Sequence, residues 1–218
     1  WGYREYDKIG GKDPYSASKG MAELAIRSYV ESFFCDNDTN KIIGIARAGN
    51  VIGGGDFKNN RIVPDVIKSL YSNKLIILRN PNATRPWQHV LEPLSGYLYL
   101  GSKLLNKQSD FVGSWNFGCL LENCISVEDL VNGLKQHWSE IQYSFDDNYY
   151  YLKETKILKL DNSKSSTILK WTPTLKMQET LRLTSNWYKS FYSKRVSISE
   201  DQLNMYLELS RQRKASWC

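Results

Sequence analysis

The first long stretch of apolar residues in the chain follows a helical period. Its apolar positions are Met21, Leu24, Ala25, Tyr29 and Phe33. Their three- and four-residue spacing is that of one face of an α-helix. Asp13 ahead of them suits the N-cap, and Pro14 suits the first helical position. The pattern therefore predicts a helix over residues 14–35.

The next segment changes to the pattern of a buried strand. The sequence KIIGIARAGNVIGGGD begins with an apolar, β-branched run from Lys41 to Arg47 and ends in a glycine-rich loop. An apolar run bounded by glycine predicts a strand that continues into a turn. A second helix is predicted from about Ile62 to Tyr71. Helix, strand and helix in this order are typical of a parallel α/β sheet.

Three further segments have helical periodicity. The first, LEPLSGYLYLGSKLL, begins at Leu91, and the second, SVEDLVNGLKQHW, begins at Ser126. In the second, Ser126 suits the N-cap and Asp129 the capping-box position. Past about residue 194 the pattern predicts a last amphipathic helix with a basic tail.

Composition narrows the class of protein. The 218 residues are 41% hydrophobic, which is enough for one sizeable core or for part of a larger domain. No run approaches the roughly 20 apolar residues of a membrane span, and the first residues lack the apolar core of a signal peptide. We therefore expect a cytoplasmic protein with no membrane partner.

Charge and cysteine content exclude further classes. The formal net charge is +6, but the basic residues are scattered rather than gathered on one face, which argues against a nucleic-acid partner. The cysteines are Cys35, Cys119, Cys124 and Cys218, and no two of them form a CxxC pair. Neither a metal site nor a disulfide framework is predicted, and reduced thiols are expected.

One candidate for chemistry lies at the start of the first predicted helix. Tyr15 and Lys19 in DPYSASKG are four residues apart and so share a helix face. A neighbouring ammonium group stabilises a phenolate, which makes the pair a candidate general base, although many helices contain YxxxK by chance. Gly53–Gly55 spell neither GxGxxG nor a Walker motif, and they indicate a flexible turn beside a pocket.

Several segments together carry a resemblance to a known family. They are WGYRE, GGKDPYSASKGMAE, ARAGNVIGGGD, RNPNATRPWQHVLEPLSGYL and WNFG. On these residues the chain resembles the CDP-glucose 4,6-dehydratases, a branch of the extended short-chain dehydrogenase/reductase family, over most of residues 1–190. The resemblance implies an α/β fold: the back part of a Rossmann-type parallel sheet that holds NAD, with a smaller C-terminal substrate-binding domain.

The resemblance also implies how the chain is divided. Residues 1–60 would form the C-terminal part of the NAD-binding Rossmann domain. Residues 61–194 would form mainly the substrate-binding domain, with returning Rossmann elements, and residues 195–218 a C-terminal helix and tail. The family's glycine-rich start, on the order of 130 residues, has no counterpart in the sequence. We expect either a fragment of a complete enzyme or a truncated product that does not bind NAD normally.

The same resemblance implies a mechanism. Tyr15 would take the proton of the sugar C4 hydroxyl while NAD accepts the C4 hydride. Lys19 would stabilise the Tyr15 phenolate and hold the nicotinamide ribose, and Val51 would contact the cofactor. Water would then be lost across C5 and C6 and the hydride returned to C6, which converts CDP-glucose to CDP-4-keto-6-deoxyglucose.

The resemblance further implies contacts to CDP-glucose or a related nucleotide diphosphate sugar. The implied residues are Asn50, Arg61, Arg85, Asn116 and Glu154. A diphosphate carries about two negative charges and needs cations around it, which suits the two arginines. Other interpretations stay open: Arg85 stacked on Trp87, Arg61 facing solvent at a helix start, and Asn116 capping a turn.

The chain departs from the family's pattern at two positions. Lys170 stands where relatives have the glycine of LGW, which questions a tight turn, and Lys153 stands where many have histidine. His89 is expected to be structural.

The open alternatives for the function are another NAD-dependent nucleotide-sugar epimerase or dehydratase, and a non-catalytic module that binds sugar nucleotides. The resemblance also implies a homodimer packed through the Tyr15 helix.

Overall fold

The computed structural model describes residues 1–11, 13–34, 41–145 and 158–218 as an α/β structure. Its helices are α1 Pro14–Phe33, α2 Ile62–Tyr71, α3 Leu91–Leu105, α4 Val127–Lys135, α5 Ser163–Thr167, α6 Met177–Lys194 and α7 Ser199–Gln212. Its strands are β1 Gly44–Ala48, β2 Asn50–Ile52, β3 Ile76–Leu78, β4 Thr84–His89, β5 Gly113–Phe117, β6 Cys124–Ser126 and β7 Tyr143–Phe145. Two short 3-10 helices lie at Ser109–Phe111 and Leu121–Asn123.

The strands pair in three small groups, mostly in parallel. Strand β1 pairs with β5, β2 with β4, and β3 with β7, each in parallel register. Strand β6 adds to β4 in antiparallel orientation. Among the described residues, the second edge of β1 has no partner strand. The predicted parallel α/β class is therefore confirmed.

Gly49 separates β1 from β2 and lets the chain change partners. A Cβ atom at this position would lie 2.9 Å from both the Pro86 Cγ and the Pro86 carbonyl oxygen, closer than real side chains approach. The glycine therefore allows the backbone to pass against β4. As a result, residues before Gly49 pair with β5, and residues after it pair with β4.

The main hydrophobic core lies between α2, α4, α6 and the strands β3 and β4. Its most deeply buried members include Ile67, Leu78, Leu130, Leu181 and Tyr188. A second cluster, built around Trp115, Phe117 and Trp171, joins α3 to β5. These two clusters fix β4, whose last four residues are all buried.

The helix predictions agree with the structure. Helix α1 has its N-cap at Asp13, whose side chain accepts a hydrogen bond from the Ser16 amide at 3.0 Å. Helix α2 begins and ends at the predicted residues. Helix α4 has the predicted capping box, because the Ser126 and Asp129 side chains each accept from the other's backbone amide.

The turn questioned at Lys170 does form. Lys170 adopts a left-handed backbone conformation with φ of 62°, and it lies between the buried side chains of Leu169 and Trp171. The Trp171 amide donates to the Ser165 carbonyl at 2.9 Å, which closes the turn. The departure from glycine therefore leaves the turn in place and puts its backbone in a conformation that costs a non-glycine residue about 1–2 kcal/mol.

A buried carboxylate connects α3 to the C-terminal part of the chain. Glu92 is 1% exposed, and it accepts hydrogen bonds from the Thr174 and Leu175 amides and from the Tyr206 hydroxyl. The Tyr206 hydroxyl also lies 3.1 Å from Ser95 Oγ. Burial raises the pKa of Glu92 to about 7 although these hydrogen bonds oppose the change. Glu92 is thus not the solvent-exposed charge that its position in the first turn of α3 suggests.

Candidate functional site

Five of the predicted site residues line one cavity of about 980 Å³. They are Tyr15, Asn50, Val51, Arg61 and Arg85. They come from α1, β2, the start of α2 and β4, so residues far apart in the sequence meet at one cavity. The volume is in the range of small-molecule sites.

The glycine loop forms one wall of this cavity, as the sequence predicts. Gly53, Gly54 and Gly55 all line it, and Gly55 has a positive φ of 81°. A Cβ atom on Gly54 would lie 1.9 Å from Trp187 Cγ, so the loop backbone rests directly on the indole ring. Trp187 is itself held by a hydrogen bond from its Nε1 to Ser199 Oγ at 2.8 Å. Helix α6 therefore packs against the loop that forms this wall of the cavity.

Tyr15 and Lys19 lie on one face at the start of α1. The Lys19 Nζ is 5.5 Å from the centre of the Tyr15 ring, which agrees with the predicted i, i+4 arrangement. Tyr15 is 72% exposed, and Lys19 is exposed as well. The phenol is thus accessible from the cavity, with a cation beside it.

Arg61 is the N-cap residue of α2, and its guanidinium forms an ion pair. Its Nη1 lies 2.8 Å from Asp56 Oδ2. Burial acts to raise the pKa of Asp56, but the Lys58 amide and the Arg61 guanidinium outweigh it and hold that pKa below its usual range. Asp56 also lines the cavity. The sequence indicated it only as the last letter of GNVIGGGD, so this carboxylate was missed.

Arg85 reaches the cavity from β4. Its Nη1 donates to the Thr84 carbonyl at 3.0 Å, and its backbone pairs with Ile125 of β6. Trp87, two residues further, belongs to the main core and donates to the Ile125 carbonyl at 3.2 Å. A second arginine, Arg79, lines the same cavity. It was missed although it stands at the start of the RNPNATRPW segment.

The other predicted contacts lie elsewhere. Asn116 is fully buried, and its amide donates to the Tyr3 and Asp161 carbonyls at 2.9 and 3.2 Å. In the structure its side chain therefore joins β5 to two neighbouring segments and is not among the cavity residues. Glu154, like Lys153, lies outside the described residues.

His89 is the last residue of β4 but is enclosed. It is 2% exposed, its Nδ1 accepts from the Leu91 amide at 3.3 Å, and burial lowers its pKa to about 4. A neutral, enclosed imidazole agrees with the structural role expected for it. Across the described ranges, no group of three or more His, Cys, Asp or Glu side chains is placed to hold a metal ion.

The family model of the GDP-mannose 4,6 dehydratases matches residues 2–184. The chain belongs to this family. The CDP-glucose 4,6-dehydratase of Salmonella typhimurium (strain LT2) is 42% identical over 194 residues, which cover 88% of this chain and 54% of that enzyme. This member of the GDP-mannose 4,6 dehydratase family thus spans about half the length of the curated relative that it matches.

Solved structures share the fold. The UDP-glucuronic acid 4-epimerase from Bacillus cereus, in complex with UDP-glucuronic acid and NAD, aligns with a TM-score of 0.69 at 18% identity, over 87% of this chain and 61% of that chain. The dTDP-glucose 4,6-dehydratase from Bacillus anthracis in complex with NAD aligns with a TM-score of 0.67 at 17% identity, over 87% and 56%. The family member described here therefore has the Rossmann-type fold of these enzymes. No helix in its described part is long and apolar enough to cross a bilayer.

Proposed function

We propose that this chain forms the substrate-binding part of a CDP-glucose 4,6-dehydratase, which converts CDP-glucose to CDP-4-keto-6-deoxyglucose. The observation that carries the proposal is the single cavity that collects Tyr15, Asn50, Arg61 and Arg85. The 42% identity to a CDP-glucose 4,6-dehydratase supports the choice of reaction and nucleotide. The residues of the cavity match what each part of such a substrate requires.

The sugar end of the substrate needs a base. In the proposal, the Tyr15 phenolate oxygen takes the proton of the sugar C4 hydroxyl. The Lys19 ammonium, 5.5 Å from the ring centre, stabilises the negative charge on the phenolate. Because both side chains are on the first turns of one capped helix, their separation is set by the helix and not by a flexible loop.

The diphosphate end needs cations. Arg61 and Arg85 supply two guanidinium groups on the cavity wall, and such groups form charge-assisted hydrogen bonds to phosphate oxygens. Arg61 is already paired with Asp56 at 2.8 Å. A bound diphosphate would compete with this carboxylate for the guanidinium, so we infer that Asp56 holds Arg61 in place before the substrate arrives.

The cavity also suits one end of NAD. Tyr15 and Val51 line it beside three glycines of the loop, which leave room for a flat ring. No GxGxxG segment is present in the sequence to hold the pyrophosphate. The chemistry that bound NAD supplies is removal of the C4 hydride and its return at C6. The residues of this chain would hold only the nicotinamide end.

Assembly and location belong to the same proposal. We infer a cytoplasmic homodimer in which α1 lies at the interface, and the exposed apolar residues on α1 support this. A second candidate function is an NAD-dependent nucleotide-sugar epimerase, supported by the likeness in fold to the UDP-glucuronic acid 4-epimerase. The two differ in product, because only the dehydratase releases water.

Turnover tests the reaction. A protein that includes the Rossmann start should convert CDP-glucose to a 4-keto-6-deoxy sugar without net release of NADH, as followed by mass spectrometry of the product. Tyr15→Phe should abolish conversion, because the ring remains and the base is gone. Near-normal turnover by the Phe variant would disprove the role of Tyr15, and a product of unchanged mass would favour the epimerase.

Calorimetric titration of the chain as given tests the binding part. CDP-glucose should bind weakly, and Arg85→Ala should weaken this binding by about 1.5–3 kcal/mol, the range of a charged hydrogen bond. Arg211→Ala on the exposed face of α7 is the matched control and should leave the affinity unchanged. Equal losses in the two variants would show that the cavity is not the anion site.

A further inference from the structure

Two thiols lie together outside the cavity, in the connection between β5 and β6. The Sγ atoms of Cys119 and Cys124 are 3.6 Å apart. Cys119 is 8% exposed, whereas Cys124 is half-buried. This contact is not expected from the sequence, because the spacing of the two cysteines is not that of a CxxC motif.

The backbone around both cysteines is fixed on each side of the pair. The Cys119 carbonyl accepts from Asn162 Nδ2 at 3.2 Å, and the preceding Gly118 amide donates to Asn162 Oδ1 at 2.8 Å. Cys124 is the first residue of β6 and pairs with Pro86 of β4. The 3-10 helix between them is held by buried Asn123, whose Nδ2 donates to the Leu175 carbonyl at 3.1 Å. The contact is therefore built into the loop.

The two thiols are chemically different. The hydrogen bond between the two thiols, with the charge of Lys159 nearby, lowers the pKa of Cys124 to about 7. The same contact and burial raise the pKa of Cys119. A thiolate that is partly accessible, next to a second thiol, is the arrangement of a nucleophilic cysteine with its resolving cysteine.

We propose that Cys119 and Cys124 form a site of reversible oxidation that reacts with peroxides. The Cys124 thiolate attacks a peroxide oxygen, so that an S–O bond forms, the O–O bond breaks, and the leaving oxygen takes up a proton as water. The Cys119 sulfur then attacks the sulfenic acid at Cys124, so that the S–S bond forms and a second water leaves. An external dithiol reverses the reaction by thiol–disulfide exchange.

The cysteine pair lies close to an arginine of the cavity, so formation of the disulfide would act near that arginine. A disulfide requires the sulfurs to approach to about 2.05 Å, so that each must move from the present 3.6 Å contact. Cys124 pairs with Pro86, and the adjacent register pair is Arg85 with Ile125. Oxidation therefore acts one residue away from an arginine of the cavity.

The test is peroxide treatment of the folded chain followed by peptide mapping. Hydrogen peroxide should lower the intact mass by about 2 Da, and dithiothreitol should restore it. Digestion at glutamate cuts after Glu122, between the two cysteines, so the two resulting peptides should remain joined until reduction. Cross-links that involve Cys35 or Cys218 in place of this pair would overturn the proposal.

Rates and single variants complete the test. Cys124 should react with peroxide at least tenfold faster than exposed Cys218 in the folded chain, and the difference should vanish in denaturant because the fold supplies it. Cys119→Ser should leave a sulfenic acid at position 124 that a dione probe traps, whereas Cys124→Ser should abolish fast oxidation at this loop. Equal rates at Cys124 and Cys218 in the folded wild-type chain would refute the site, whatever the variants do.

Discussion

Helices α1 and α6 have the same kind of sequence pattern and opposite surroundings. Of the 20 residues of α1, only Gly20 is buried, whereas eight residues of the 18-residue helix α6 are buried. The apolar positions of α1, such as Leu24 and Phe33, are 57% and 61% exposed. A hydrophobic period thus predicts that a helix forms, but it does not tell whether anything in the described structure covers its apolar face.

The two helices are therefore held in different ways. Helix α6 buries side chains in the main core. Helix α1 is joined to β1 by Glu23, whose carboxylate accepts two hydrogen bonds of 2.6 Å from the Arg47 guanidinium. Its one buried residue, Gly20, lies against the segment that precedes the helix, because a Cβ atom there would be 2.9 Å from Ile9 Cγ2. Beside it lies a groove of about 840 Å³ between α1, β1 and β5. Polar contacts therefore hold α1, and hydrophobic burial holds α6.

The largest expected difference comes from equal truncations in the two helices. Leu181→Ala in α6 removes a side chain that is 1% exposed and should lower the free energy of unfolding by about 2–5 kcal/mol. Leu24→Ala in α1 should change it by less than about 0.5 kcal/mol in the monomeric chain, as for surface substitutions. Urea denaturation of both variants at low protein concentration measures this difference, and at high concentration the proposed homodimer should increase the loss caused by Leu24→Ala. Similar losses in the two variants at low concentration would mean that the chain itself covers the apolar face of α1.

The second expectation concerns two buried ionisable side chains, Glu92 and His89. Glu92 has its pKa raised to about 7 by burial, so the folded state keeps a proton that the unfolded state loses, and stability falls as pH rises from about 4.5 to 7. His89 has its pKa lowered to about 4, so stability rises with pH from about 4 to 6.5. Each contribution is about 3 kcal/mol.

Because these slopes have opposite signs, they should largely cancel in the wild-type chain between pH 4.5 and 6.5. Glu92→Gln keeps the shape of the side chain and should reveal a stability that rises with pH. His89→Asn keeps an acceptor for the Leu91 amide and should reveal a stability that falls with pH. His137, whose pKa burial also lowers, adds a smaller slope in the direction of His89. Parallel pH profiles in all three proteins would contradict these pKa shifts.

A third, smaller effect tests the polar attachment of α1. Glu23→Gln removes the charge that binds Arg47 and should weaken the docking of α1 by about 1.5–2 kcal/mol, the low end of the range of a charged hydrogen bond. Hydrogen exchange should speed up in α1 and remain unchanged in α6. Glu31→Gln on the same helix is the control. If exchange rises equally in both helices, then α1 and the core unfold as one unit.

The smallest effect lies in the turn at Lys170, within the packed region. Lys170→Gly removes a side chain from a left-handed conformation with φ of 62°, and it should raise stability by about 0.5–1 kcal/mol after the greater freedom of glycine in the unfolded chain is subtracted. Thermal unfolding measures the gain. Lys176→Gly, at an N-cap with φ of −75°, should give no such gain.

The sequence predicts local structure here better than it predicts contacts. The ends of α2 and the capping box of α4 follow from residues a few positions apart, and the resemblance indicated Arg61 and Arg85, which do meet at one cavity. The buried state of Glu92 could not be predicted, because its partners lie more than eighty residues away in the chain. The Cys119–Cys124 contact depends on a loop geometry that spacing alone does not determine.

The break at Gly49 has a consequence for the order in which the chain can fold. Among the described strands, none pairs with the strand next to it in sequence: Gly44 pairs with Gly113, Ile76 with Tyr143, and Thr84 with Ser126. Each pairing therefore requires a long loop to close before any hydrogen bond between the strands can form. Such high contact order slows folding. During synthesis, β1 and β2 must wait for partners that emerge much later. Helix α1, which needs no strand partner to form, can be present long before the sheet that it lies against.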